Sequence, residues 1–258
     1  MYDILYNIFA LFLGDATAES WMEQLIDNFI VDDRWTWLVD GLKVTLELTV
    51  AAFIFGMLLG LFIAVVRISH DKRVDTPTIS PIQRLLRWLL NALNAVCSLY
   101  LNIIQGTPTI VQIMIIYFVI FADSTNKMAI AILGFTINSS AYIAEIIRGG
   151  INGVDKGQME AGRSLGFGYM RTMFYIVIPQ ALKSSLPALC NELVVLLKET
   201  SVASMVAMQD LLSAALLIRS RTYNAFLPLI AAALIYFVIV SFIRMLSGKL
   251  ERRLNSGE

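Results

Sequence analysis

Glu192 and Glu199 stand seven residues apart in the stretch NELVVLLKETS, with Lys198, Thr200 and Ser201 beside the second acid. Seven residues make nearly two helical turns, so both carboxylates fall on one face of a helix. Charge is costly in hydrocarbon, so an apolar helix turns its acids toward a partner or a water-filled cavity. The acids and the hydroxyls of Thr200 and Ser201 could line a passage for a zwitterion, or the acids could pair with Lys198 and with neighbouring helices. Glu145 and Arg148, three residues apart, read as a local ion pair. Gln105 opens a break, Gln105-Gly-Thr-Pro108, where its amide and the neighbouring hydroxyls could face the same passage.

Other chemistry finds little support. The single histidine, His70, reads as a loop residue, and no H-E-x-x-H or G-x-S-x-G occurs. Cys97 and Cys190 lie in apolar surroundings without CxxC spacing and read as two free thiols, so no metal site is expected. No G-x-x-x-x-G-K-[ST] is present, and Gly166-Phe-Gly168 lacks the lysine and hydroxyl that hold phosphates and magnesium. The chain is therefore not expected to bind ATP, to carry a cofactor or to act as an enzyme, and nothing in it points to nucleic acid.

The elements that must position these residues are membrane spans. Of the 258 residues, 57% are hydrophobic and 16% charged, against about a quarter charged in soluble domains. Apolar runs at Leu42–Val66, Met128–Ile147, Leu186–Met208 and Ala225–Ile243 are each long enough to cross a core of about 30 Å. Leu85–Ala122 is too long for one crossing and is broken at Gln105–Pro108, which reads as a bend. The sequence thus predicts an all-α integral membrane protein with about five transmembrane helices. Gly56 and Gly60, four apart in the first span, either admit a close helix or are an accident of a Leu-rich run.

Basic residues cluster after the first span (Arg67, Lys72, Arg73, Arg84, Arg87), after the third (Arg148, Lys156, Arg163, Arg171, Lys183) and at the end (Arg244, Lys249, Arg252, Arg253). The positive-inside rule makes all three cytoplasmic, with Arg219 and Arg221, in a last outer loop, as exceptions. Residues 1–40 carry eight acids against Arg34 alone and are placed outside, as a tether or a docking surface, with Trp21, Trp35 and Trp37 near the headgroups. The opening residues lack a basic region, so no cleaved signal peptide is expected.

Between the third and fourth spans the chain reads QMEAGRSLGFGYMRTMFYIVIPQA, from Gln158. This stretch is no span, since an Arg at a helix centre costs about 2.5–3.5 kcal/mol. A short helix over Gln158–Leu165 is expected to end at Gly166 in a left-handed cap, with a second helix from Tyr169 toward Pro179. Such an element can enter a groove on a cytoplasmic partner or lie on the membrane surface.

The stretch resembles the EAA loop of binding-protein-dependent ABC importer permeases, in Glu160-Ala161-Gly162, Gly166, Ile176 and Ile178-Pro179. Gly162 replaces an Ala of that pattern and Ile178 a Leu, and both keep the size class. The resemblance runs from about Thr45 to Arg253 and narrows to the polar amino-acid branch at QGTPTIVQ, AYIAEIIRGGINGVDKGQ, PQAL and LLKETSV, although that branch usually has Arg at Gln105. It does not cover the segment up to about Asp40. It implies the ABC type I importer permease fold, with a permease domain over 41–250, coupling helices in an EAA loop over about 156–180, and a cytoplasmic tail at 251–258.

The resemblance further implies the membrane subunit of an ATP-driven amino-acid uptake system in a bacterial inner membrane. Its partners would be two ATPase subunits holding ATP and Mg, a second permease subunit and an extracytoplasmic substrate-binding protein. Glu160, Ala161, Gly162, Leu165 and Gly166 would form the ATPase contact, with Glu160 holding it. Acidic wall residues lean toward a cationic amino acid, with glutamine and cystine left open. The competing class, an ion-coupled secondary transporter, would need its own ion site and often shows paired repeats, which are not found here.

Overall fold

The computed structural model describes residues 15–71 and 80–255. Outside them lie the opening residues, Lys72 and Arg73 of the first basic cluster, and the last residues of the tail. Every regular element among the described residues is helical. Five helices are long and apolar enough to cross a membrane: Trp35–Asp71, Pro81–Gly106, Lys127–Asn152, Tyr169–Val206 and Phe226–Arg253.

α1 covers Asp15–Leu25, and α2 covers Trp35–Asp71 and so extends beyond the predicted first span at both ends. His70 is thereby in the last helical turn rather than in a loop, with Nδ1 3.5 Å from the Asp71 carboxylate. α3 (Pro81–Gly106) starts at a capping box, in which Ser80 Oγ accepts from Gln83 N and Gln83 Oε1 from Ser80 N. It ends where Thr107 and Pro108 turn extended, since a residue before proline is disfavoured in helical conformation. α4 (Thr109–Ile115) resumes at once and closes in a π-helical turn, so the break is a bend.

α5 (Lys127–Asn152) is the most enclosed span. α6 (Lys156–Ser164) and α7 (Tyr169–Thr172) follow. A π-helical turn at Met173–Val177 then joins α7 to α8 (Ile178–Glu199), with both junction residues right-handed helical. The sequence suggested a helix stopping near Pro179 and a separate span from Leu186. The structure instead carries the helical path from Tyr169 through to Glu199, with Pro179 just after the π-helical turn, where the regular hydrogen-bond register of the helix is already interrupted.

α9 (Leu211–Thr222) replaces the predicted last outer loop, and it places Arg219 and Arg221 in its final turn, a favourable place for cations against the helix dipole. α10 (Phe226–Asn255) is the last described helix.

The chain divides into two compact units. One combines residues up to Glu47 with Ser201–Ile239. Its core is Leu38, Leu211, Ala214, Ala215, Ile218 and Ala232. The acidic N-terminal segment belongs to this unit as packed structure: Thr222 Oγ1 donates to the buried Asn28 Oδ1 (2.8 Å), and Asn224 Nδ2 to Gln24 Oε1 (2.9 Å). Arg34, its one cation, is buried and bonded to Asp27 O and Asp32 Oδ2. Trp21 meets Phe226 edge-on, Trp37 packs on the core, and Trp35 is exposed.

The second unit comprises Leu48–Thr200 with Val240 onward. One of its clusters joins Ile63, Val66, Cys97, Leu101, Ala141 and Ala144, and the other Ala64, Ile68, Ile143, Ile147 and Leu189. Of the glycine pair in the first span, Gly60 serves this packing, while a Cβ on Gly56 would meet only ordinary contacts. A Cβ on Gly60 would stand 2.8 Å from Ile143 Cγ2 and 2.9 Å from Ser140 O, and one on Gly56 3.5 Å from Ser139 Cβ. Both cysteines are free.

Candidate functional site

α6 begins with Asp155, whose Oδ1 accepts from Gly157 N at 2.6 Å. It ends in a Schellman motif, Phe167 N donating to Gly162 O (3.1 Å) and Gly166 N to Arg163 O (3.0 Å). Gly166 takes φ +85°, a conformation that penalises any side chain. Glu160, Ala161, Arg163 and Leu165 are exposed, and only Gly162 is buried. Met159, Glu160 and Arg163 border a groove of about 880 Å³ whose far wall includes Tyr169, Met170 and Val177. α6 is thus a short polar helix presented to the outside, with Gly162 buried beneath it and Gln158 Oε1 accepting from Gln180 Nε2 at 3.2 Å.

The polar interior centres on α5 and α8. Glu192 is 8% exposed, and its Oε1 accepts from Ser139 Oγ of α5 at 3.0 Å. Glu199 is half-buried at the end of α8, while Lys198 is exposed. Thr200 is fully buried, and its hydroxyl donates to Leu197 O (2.7 Å), so that proton is engaged within its own helix. Ser201 is half-buried, the second residue of the 3₁₀ segment Thr200–Val206. Gln105 is exposed, and its Nε2 lies 3.4 Å from Ala141 O. The structure therefore sets Glu192 against α5, with Glu199 about 10 Å further along the helix axis. Arg148 bonds Glu145 Oε2 through Nε (3.1 Å) and Nη2 (2.9 Å), the local pair read from the spacing, and Asp71 Oδ2 lies 3.5 Å from Nη1.

Gln112 and Asn138 went unnoticed in the sequence. Gln112 Nε2 donates back to Ile104 O (2.7 Å) and Thr107 O (2.9 Å), meeting carbonyls that the end of α3 leaves without helical partners. Its Oε1 accepts from Asn138 Nδ2 (2.9 Å), and the same amide reaches Thr109 Oγ1 (3.2 Å). The run Asn138-Ser139-Ser140 in an apolar span was the signal that could have found them.

Residues 86–256 match the family described as binding-protein-dependent transport system inner membrane component. The chain belongs to that family. Among relatives of this transport component, a putative glutamine transport system permease protein of Rickettsia bellii is 36% identical over 221 residues, 84% of this chain and 92% of the relative. The L-cystine transport system permease protein of Bacillus subtilis is 35% identical over 254 residues, 97% of each chain. That alignment includes most of the segment before Asp40, which the sequence resemblance had left uncovered. A crystal structure of an amino acid ABC transporter with histidines superimposes with a TM-score of 0.74 at 39% identity, over 87% of this chain and 98% of that one. The transport component is thus an all-α membrane subunit with the type I importer permease fold.

Proposed function

We propose that this chain is the membrane-spanning subunit of an ATP-driven amino-acid importer, in which α6 inserts into a separate ATPase subunit. The observation that carries this reading is α6 itself: a nine-residue helix between two spans, with Glu160 and Ala161 facing out and Gly162 alone facing in. Relatives named for glutamine and cystine support the amino-acid part. ATP and Mg belong on two ATPase subunits, and an extracytoplasmic binding protein delivers the solute. A second permease subunit, identical or homologous, completes the passage. The N-terminus faces outward and the C-terminus the cytoplasm of a bacterial inner membrane.

Closure of the ATPase dimer moves the α6 helices together and favours an outward-open state, so transport depends on contacts that differ between two states. Glu160 holds α6 on the ATPase, with Ala161, Gly162, Leu165 and Gly166 shaping the contact. Glu192, Glu199, Lys198, Thr200, Ser201 and Gln105 border the solute path, with Thr200 contributing through its backbone and shape because its proton is engaged. The acids favour a cationic amino acid.

The test is ATP hydrolysis and uptake by the complex in proteoliposomes, scanned across amino acids. One amino-acid class should stimulate hydrolysis, and Glu160→Lys should lower uptake per ATP by about tenfold, the effect of losing a charged contact worth about 1.4 kcal/mol. An intact complex that no amino acid stimulates, or a Glu160→Lys complex with normal coupling, would sink the proposal.

A further inference from the structure

We infer that the contact between Gly162 and Thr172 sets the angle at which α6 meets the ATPase, which makes Thr172 a positioning residue for coupling. The inference rests on the docking role proposed above for α6. A Cβ on Gly162 would stand 2.6 Å from Thr172 Cγ2 and 3.0 Å from Ile176 Cδ1. Ile176 could yield, because Cδ1 is the free end of a flexible side chain. Thr172 cannot. It is fully buried and β-branched, and its Oγ1 lies 3.3 Å from Gly168 O, which holds the methyl against α6. An alanine at 162, the residue of the EAA pattern, would therefore lever α6 away from α7.

The seat connects directly to the solute path. Thr172 belongs to the helical run from Tyr169 to Glu199, the one that carries Glu192. Twenty residues along that run is about 30 Å. The Gly162 contact is thus the packed point, beside the Gln180–Gln158 hydrogen bond, where a displacement of α6 is handed to the helix bearing the buried acid. Between the two lie the π-helical turn at Met173–Val177 and Pro187, whose nitrogen cannot donate to the preceding turn, so the run can bend without breaking.

The experiment exchanges the two surfaces. Gly162→Ala, Thr172→Ser and the double variant are assembled with the ATPase and binding protein, and amino acid taken up per ATP is measured in proteoliposomes at equal subunit stoichiometry. Gly162→Ala should lower the ratio by about tenfold by overfilling the seat, and Thr172→Ser by about threefold by emptying it. The double variant puts a methyl on one side as it removes one from the other, and should recover to within about twofold of the native ratio. The concentration of loaded binding protein that half-saturates hydrolysis should not move in any of them, since the seat touches no binding-protein surface.

A native ratio in Gly162→Ala or in Thr172→Ser, or a double variant no better than Gly162→Ala, overturns the inference. Should Gly162→Ala fail to accumulate, Thr172→Ser and the double variant still decide it. Glu160→Lys, run alongside, separates the two levels. Normal coupling there removes the docking role itself, whereas an uncoupled Glu160→Lys with normal seat variants removes only the seat.

Discussion

Gln112 shows how one side chain replaces what a broken helix loses. The bend at Thr107–Pro108 leaves the last carbonyls of α3 without helical partners, and the Gln112 amide meets two of them while Asn138 holds it from α5. Asp210 does comparable work at the start of α9, where its carboxylate accepts from Leu212 N and Ser213 N, both at 3.1 Å. It is fully buried, and burial outweighs those two bonds, pushing its pKa from 3.8 up to about 6. The folded chain therefore holds this proton more tightly than the unfolded chain. The contribution to stability is complete below about pH 4 and is lost as pH rises through about 6, a change of about 3 kcal/mol. Asp210→Asn keeps a capping oxygen but cannot titrate. Denaturant midpoints in detergent between pH 4 and 7 should show the native chain losing stability relative to Asp210→Asn, and parallel curves would count against the buried acid.

At the scale of elements, small residues decide which helices touch. Gly60 lets α2 approach the backbone of α5 at Ser140, and Gly41 lets it approach the backbone of Asp210, where a Cβ would stand 2.7 Å from the carbonyl oxygen. Backbone atoms cannot rotate aside as side-chain ends can. Gly60→Ala should thus cost about 1–3 kcal/mol and lower the midpoint of thermal unfolding in detergent by about 5 °C. An unchanged midpoint would mean that the α2–α5 approach is looser than the structure has it. The spans were legible because membrane-length apolar runs admit few other readings, and the cap at Gly166 because glycine follows a short polar helix. α9 was not legible: its apolar and basic residues lie between two spans, in a stretch short enough to read as a loop, and it is a helix because Asp210 caps it and its buried face completes a core with Leu38 and Ala232.

For the whole molecule the count of crossings has a direct consequence. One span, Tyr169–Val206, separates the α6–α7 turn from Tyr223, which is 94% exposed. Glu160 and Tyr223 should accordingly lie on opposite sides of the membrane. Single cysteines at the two positions, in a background lacking Cys97 and Cys190, should differ in labelling of intact cells by an impermeant thiol reagent, Tyr223→Cys reacting and Glu160→Cys protected until the cells are opened. Labelling of both from outside would overturn the arrangement.

The sequence by itself determined the class of molecule, the number of membrane-length helices, the absence of a nucleotide-binding motif and the place of the exposed short polar helix. Those properties rest on local composition, on apolar length against bilayer thickness and on glycine's access to positive φ, all of which short windows carry. Tertiary structure decided the rest. That Glu192 meets Ser139, that Gln112 rather than Gln105 bridges the bend, that Thr200 turns its proton back onto Leu197 O, and that Gly162 rests on Thr172 are contacts that the packed helices select, two of them between residues ten or more apart. A polar side chain within a span must find a partner, but which partner depends on the helix that packs beside it, and sequence spacing does not carry that information.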